Sequence, residues 1–230
     1  MNLRRVTLSA VVLLAFCAVQ ANAQDFVVGD GGFAGDTNNW PPGEAPNFAI
    51  NGEGQKYLNF GKFDTGIAVS PAGGASVATS ITLWAANDAI ERDPASFQVW
   101  GTNEPVPADL GPGAPLPFAA FEFVGGGAVN LPLSRNAGGD APLDDANAFS
   151  ATFSNTDSYT SYIVSFPTLR DGDAANSQQI AEIQLFAGDN PIFSAADTVV
   201  GGQWTAPVPE PSSLALFAMA FLGWLGFRRR

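Results

Sequence analysis

Between its two ends the chain places hydrophobic residues in short runs, separated by clusters of Gly, Pro, Asn and Asp. Within the runs they alternate with polar residues, the period of a strand that buries one face. The pattern predicts strands over residues 56–60, 66–70, 78–85, 96–101, 118–124, 149–153, 158–166 and 180–186. No stretch of comparable length outside the termini shows a helical period. Alternation also assigns faces. Ile81 and Leu83 point one way, with Thr82 and Trp84 opposite. Phe97 and Val99 oppose Gln98 and Trp100, and Ile183 and Leu185 oppose Glu182 and Gln184. Tyr162, Val164 and Phe166 alternate with Ser161, Ile163 and Ser165, a set that Ile163 blurs. The aliphatic sets are the predicted core, and many short strands with turns between them predict a sandwich or barrel.

Trp84 and Trp100 fall on the nominally outward face of strands that read as neighbours. An indole with a free face packs against the C–H face of a sugar ring, so both are candidate ligand-binding residues. Ordinary packing beneath a loop or a second layer is the alternative. Trp40, beside Pro41 and Pro42, and Trp204, near Pro207, read as plugs where the chain enters and leaves the domain. Residues 104–117 and 136–147 form long loops, either binding loops or simple excursions. The small-residue segment 72–76 reads as a turn, because neither a helix nor a lysine follows to complete a phosphate cradle.

The termini follow a different pattern. Arg4 and Arg5 precede an apolar stretch over 11–19 and the small-residue site Ala21-Asn22-Ala23, the order of an export signal peptide cleaved before Gln24. Cys17 lies inside that stretch without a lipobox around it. Near the other end, Pro209-Glu210-Pro211 leads through Ser212 and Ser213 into an uncharged apolar run over 214–227, followed by Arg228, Arg229 and Arg230. The prolines stop any preceding element, a serine caps the helix that follows, and the arginines belong at cytoplasmic headgroups. The run is shorter than the 20 or so residues of a permanent span. The organisation is therefore a signal peptide over 1–23, one domain over 24–206 and a tail over 207–230.

Charge and composition narrow the chemistry. Without the two terminal segments the body carries five basic and twenty-one acidic residues, a net charge of −16. Such a surface repels polyanions, which excludes nucleic acid as a partner and leaves cations or neutral glycans. The chain has no histidine, and its single cysteine is Cys17. Ser-His-Asp and Cys-His catalysis, imidazole-held metals and disulfides are all excluded from the body. Carboxylate chemistry of the glycosidase kind survives, but the acids are scattered and mark no catalytic pair. The expectation is a protein that is not an enzyme.

The tail resembles the PEP-CTERM sorting signal, carried by Pro209, Glu210, Pro211, the apolar run and the arginine cluster. The resemblance implies recognition by exosortase, a membrane peptidase-transpeptidase of Gram-negative bacteria that make extracellular polysaccharide. It also implies an inner-membrane intermediate, then delivery to the cell surface or extracellular matrix. A plain membrane anchor is the alternative.

Three stretches of the body resemble the galactose-binding-like, discoidin-type jelly roll. They are 47–59 with its Ala49-Ile50-Asn51-Gly52 segment, 92–103 ending in Gly101-Thr102-Asn103, and 180–186. The resemblance implies an all-β jelly-roll sandwich. It also implies a structural calcium ion held by Asn51 and Glu53 from the early loop and Glu182 from the late strand; Asn51 stands where Asp is commoner in the family. The functions that remain are a carbohydrate-binding or adhesive module acting on extracellular polysaccharide, a structural surface protein without a small ligand, and a glycoside hydrolase.

Overall fold

A computed structural model describes residues 25–32, 37–116 and 121–205. The predicted signal peptide and the sorting tail lie outside these residues. The described part is an all-β sandwich with three short 3-10 turns. Its strands are β1 (Phe26–Val28), β2 (Tyr57–Asn59), β3 (Thr65–Ser70), β4 (Ser80–Trp84), β5 (Ser96–Thr102) and β6 (Glu122–Ala128), followed by β7 (Ala148–Thr152), β8 (Ser161–Phe166), β9 (Gln178–Ile180), β10 (Glu182–Ala187), β11 (Asn190–Pro191) and β12 (Thr198–Trp204). One sheet has the order β1-β12-β3-β8-β5-β6, the other β11-β10-β4-β7, and β2 and β9 form a short ribbon. Every pairing between these strands is antiparallel.

The main core lies between the two sheets. Ile81, Leu83, Ile183 and Leu185 meet Ile67, Val69, Phe97, Val99 and Val164, all nearly or completely buried. These are the faces that alternation assigns. Ile163 blurs its pattern because a second apolar cluster covers the outside of the six-stranded sheet, where Ile163 joins Phe26, Val28, Ala68 and Trp204. The loop over 104–117 supplies Val106, Leu110 and Leu116 to that cluster. It is strapped to β1 by the Leu116 N–H donating to the Phe26 carbonyl at 2.9 Å and the Val28 N–H donating to the Ala114 carbonyl at 2.9 Å. This loop is a cover, not an excursion.

Two differences from the predicted strands share a physical cause. Glycine pairs and triplets read as turns, but here they sit inside strands where a ring presses on the backbone. β6 runs through Gly125, where a Cβ would lie 2.5 Å from the Phe153 ring. β12, which alternation does not reveal, runs through Gly202, where a Cβ would lie 2.4 Å from the Phe26 ring. Trp204 ends β12 as a buried residue opposite Phe26, so it belongs to the second cluster and is not a plug. The run over 180–186 breaks at Ala181, because β9 pairs with β2 while β10 pairs with β4.

One ion-pair cluster stitches three loops together. Asp93 is fully buried and accepts both Arg135 guanidinium nitrogens, at 2.7 and 2.8 Å, with Arg170 at 3.2 Å. Arg135 also donates to the Pro132 carbonyl, so the segment after β6 is tied to the start of β5. Removing one partner of such a group strands the others without compensation. Asp93→Ala is expected to lower unfolding free energy by about 3 kcal/mol, read as a shift in the urea midpoint. An unchanged midpoint would show that the arginines find water instead.

Candidate functional site

Trp84 closes β4 and faces out of the four-stranded sheet, directly across from Glu182 at the start of β10. A loop from the early part of the chain folds over this corner. Pro46 opens the 3-10 turn Pro46–Ala49, and the burial of Ala49 and Ile50 pins that turn to the core. The Asn51 side-chain oxygen then accepts the Glu53 N–H at 3.0 Å, an Asx turn that reverses the chain at Gly52. Gly52 has φ +78°, a region glycine enters without strain. The Gly52 N–H consequently donates to the Glu182 carboxyl at 3.2 Å.

The far side of the loop is held in two ways. The Gly54 N–H donates to the Ala141 carbonyl at 2.7 Å, and Glu53 bridges Pro142. Lys56, almost wholly buried, places its ammonium 2.8 Å from Asp88 and 3.4 Å from Glu44, and donates to Gln179 at 3.3 Å.

The result is an open pocket of about 410 Å³ walled by Trp84, Glu182, Gln184, the 50–52 segment, Leu143 and Phe193. Its volume is within the range of small-ligand sites. The Trp84 ring is half-buried, and its N–H donates to Asp145 at 3.3 Å, which orients the indole. Gln184 is oriented by donating to the Phe193 carbonyl at 3.1 Å. Glu182 is the single carboxylate among the described residues of this wall. Burial pushes its carboxyl up to about 8, against the lowering effect of the Gly52 and Asn51 backbone N–H groups. The group is therefore largely neutral at pH 7.

The sequence-predicted site residues divide. Trp84, Asn51 and Glu182 come together in this pocket. Glu53 is not part of its wall; its backbone bridges to Pro142 in the neighbouring loop. Trp100 is elsewhere, because β5 belongs to the six-stranded sheet and β4 to the other. Its ring meets Phe123 at 5.1 Å and Trp204 at 5.7 Å, both edge-on, so Trp100 is packing. Trp84 and Trp100 do not share a site.

The residues expected to hold calcium do not fit that ion here. Calcium takes six to eight oxygen ligands. What faces Glu182 are amide N–H donors, and both polar atoms of the Asn51 side chain are engaged within the loop, with Glu53 and Gln55. Among the described residues no group of three or more acidic, His or Cys side chains converges. Sequence reasoning misses Gln184, Leu143 and Phe193 as wall residues. For Leu143 a signal existed in the long 136–147 loop, and for Gln184 in the face it shares with Glu182; Phe193, between β11 and β12, carried none.

Residues 207–230 match the family model described as the PEP-CTERM protein-sorting motif. The chain carries a PEP-CTERM sorting signal. No curated protein matches the chain as a relative. Among solved structures it is similar to the family 32 carbohydrate-binding module of Clostridium perfringens NanJ in complex with galactose, at 14% identity and TM-score 0.40 over 62% of this chain and 85% of that one. It is also similar to a C. perfringens module in complex with GalNAc-β-1,3-galactose, at 12% identity and TM-score 0.38 over 61% and 81%. A module from a C. perfringens family 31 glycoside hydrolase gives 9% identity and TM-score 0.42 over 65% and 89%.

The PEP-CTERM signal follows closely on β12. The Thr205 N–H donates to the Asp25 carbonyl at 3.0 Å, and β1 pairs with β12, so both ends of the described domain leave from one edge of the sandwich.

Glu182 yields a pH prediction with a definite sign. In the unfolded chain it titrates near its ordinary value of 4.5, and in the folded chain near 8. The folded state thus holds the extra proton between these values, and the Glu182 contribution to stability is expected to be whole below about 4.5 and to decline as pH rises toward 8. No histidine competes in that window. Glu182→Gln, which stays neutral, is expected to flatten the decline, a difference on the order of a few kcal/mol by pH 8. Urea midpoints at a series of pH values test this, and parallel profiles for the two proteins would refute it.

Proposed function

We propose that this protein is exported and sorted by exosortase to the cell surface or extracellular matrix of a Gram-negative bacterium, where its sandwich domain binds carbohydrate without catalysing a reaction. A signal peptide over 1–23, a domain over 24–206 and the PEP-CTERM signal over 207–230 are its parts. The sorting motif supports delivery, and the Trp84 pocket is the observation that carries binding. An oriented indole with one face to an open pocket offers a platform for a sugar ring. Gln184, the hydroxyl of Ser194 and a protonated Glu182 offer hydrogen bonds around it.

Two experiments test this reading. Replacing Pro209, Glu210 and Pro211 together with alanine is expected to leave the protein unprocessed in the inner membrane, as seen by fractionation and immunoblotting; normal surface delivery would refute the sorting step. Trp84→Ala in the full chain is expected to reduce binding to the neutral polysaccharide it recognises by about tenfold or more, the scale of losing an aromatic anchor. The absence of binding by the wild-type protein across a broad panel of glycans would remove the carbohydrate reading and leave a structural surface protein.

A further inference from the structure

The two outer faces of the sandwich are treated differently. The six-stranded sheet hides its outer face under the second apolar cluster. The four-stranded sheet leaves its own face open, and strand register arranges that face as a grid. Across β10, β4 and β7 the first row is Phe186, Ser80 and Thr152. The second is Gln184, Thr82 and Ser150, and the third is Glu182, Trp84 and Ala148. Thr82 and Ser150 share a hydrogen bond of 2.9 Å, so the hydroxyl row is ordered.

The chemistry of the grid is uniform. Its middle is neutral hydroxyls and one amide, with an aromatic ring at one corner, Phe186, and another, Trp84, at the centre of the opposite row. No lysine or arginine lines either pocket on this face. Glu182, in the third row, is the one acid within the grid, and two more stand around it, Asp189 beyond the Phe186 corner and Asp145 beside Trp84. The Trp84 pocket occupies one end, and a second open pocket of about 430 Å³, walled by Ser80, Thr82, Thr152 and Phe186 among others, occupies the other. The grid is about 13 Å along the strands and about 10 Å across them, longer than a single sugar ring.

From this juxtaposition we infer that the open face of the four-stranded sheet is a binding surface for an extended, uncharged polysaccharide chain, which runs from the Trp84 pocket across the Thr82 and Ser150 hydroxyls to Phe186. The inference rests on the carbohydrate-binding reading and extends it from a pocket to a surface and from a sugar to a polymer. The uncharged class follows from the charges. An acidic polymer would meet a rim of carboxylates and a body of net charge −16 with no cation on the face to receive it. A neutral chain meets hydroxyl and amide partners, with aromatic faces at the two ends.

The test uses the full chain in detergent. The probes are a linear galactan, a mixed-linkage glucan, a galactomannan, their monosaccharides and polygalacturonate. At least one neutral polymer is expected to bind about tenfold or more tighter than its monosaccharide, and polygalacturonate is expected not to bind. Ser150→Lys with Thr152→Lys, on exposed positions of an edge strand, is expected to weaken polymer binding about tenfold while leaving the melting temperature and any monosaccharide binding unchanged. Hydrogen exchange on the wild-type chain needs no variant and is expected to show polymer protection over 148–152 as well as 50–52. Protection confined to 50–52, or wild-type polymer affinity in the double lysine variant, would overturn the extended surface while leaving the Trp84 pocket standing. Preference for polygalacturonate would overturn the uncharged class. Failure of every glycan to bind would remove the carbohydrate reading itself.

Discussion

Interdigitation of the two inner sheet faces holds everything else in position. Ile81, Leu83, Ile183 and Leu185 from one sheet are wholly buried against Ile67, Val69, Val99 and Val164 from the other. Each such side chain contributes about 1.5–3 kcal/mol on burial, and the body has no disulfide to share the task, since Cys17 is the single cysteine. Because side chains alternate strictly along a strand, fixing the inner residues also fixes the outer ones. Trp84, Thr82, Gln184 and Phe186 face outward because their neighbours face inward. The candidate site is the reverse side of the core.

Around that frame the loops do unequal work. The 104–117 loop seals the six-stranded sheet with Val106, Leu110 and Leu116. The 50–56 loop is fastened at Gly54, at Lys56 and through the Gly52 amide on Glu182, so the wall of the pocket is built from backbone held in place on several sides. Asp93 performs a similar office at the other loops through two arginines. The molecule spends its few cations on structure: Lys56, Arg135 and Arg170 are all engaged with internal carboxylates. The open face of the four-stranded sheet is left without one, which is why its chemistry is that of neutral hydrogen bonding.

Glu182 shows how position and environment separate. The resemblance to discoidin-type domains points to Glu182 at the start of β10 and to Asn51 in the early loop, and the structure brings the two together. What the resemblance implies there, a cation, is at odds with the groups that surround the carboxyl. The loop presents N–H groups to it. Chain order conveys which elements meet, whereas the direction of each backbone amide depends on the φ of Gly52 and the Asx turn at Asn51.

Sequence alone determined the all-β class, the inner faces of β4, β5 and β10, the sorting signal, and the absence of histidine from the chain's chemistry. Each follows from local period or from composition, which need no knowledge of distant contacts. It did not reveal β12, or the passage of β6 through its glycines, because a ring pressing on a strand and a turn both call for the same residue. It paired Trp84 with Trp100 because both face outward, yet the sheets to which β4 and β5 belong are settled by long-range pairing. Only the tertiary structure decided that Trp84 lines an open pocket while Trp100 is packed against Phe123 and Trp204. Burial of an outward face depends on what the rest of the chain lays over it, and period-two alternation is blind to that.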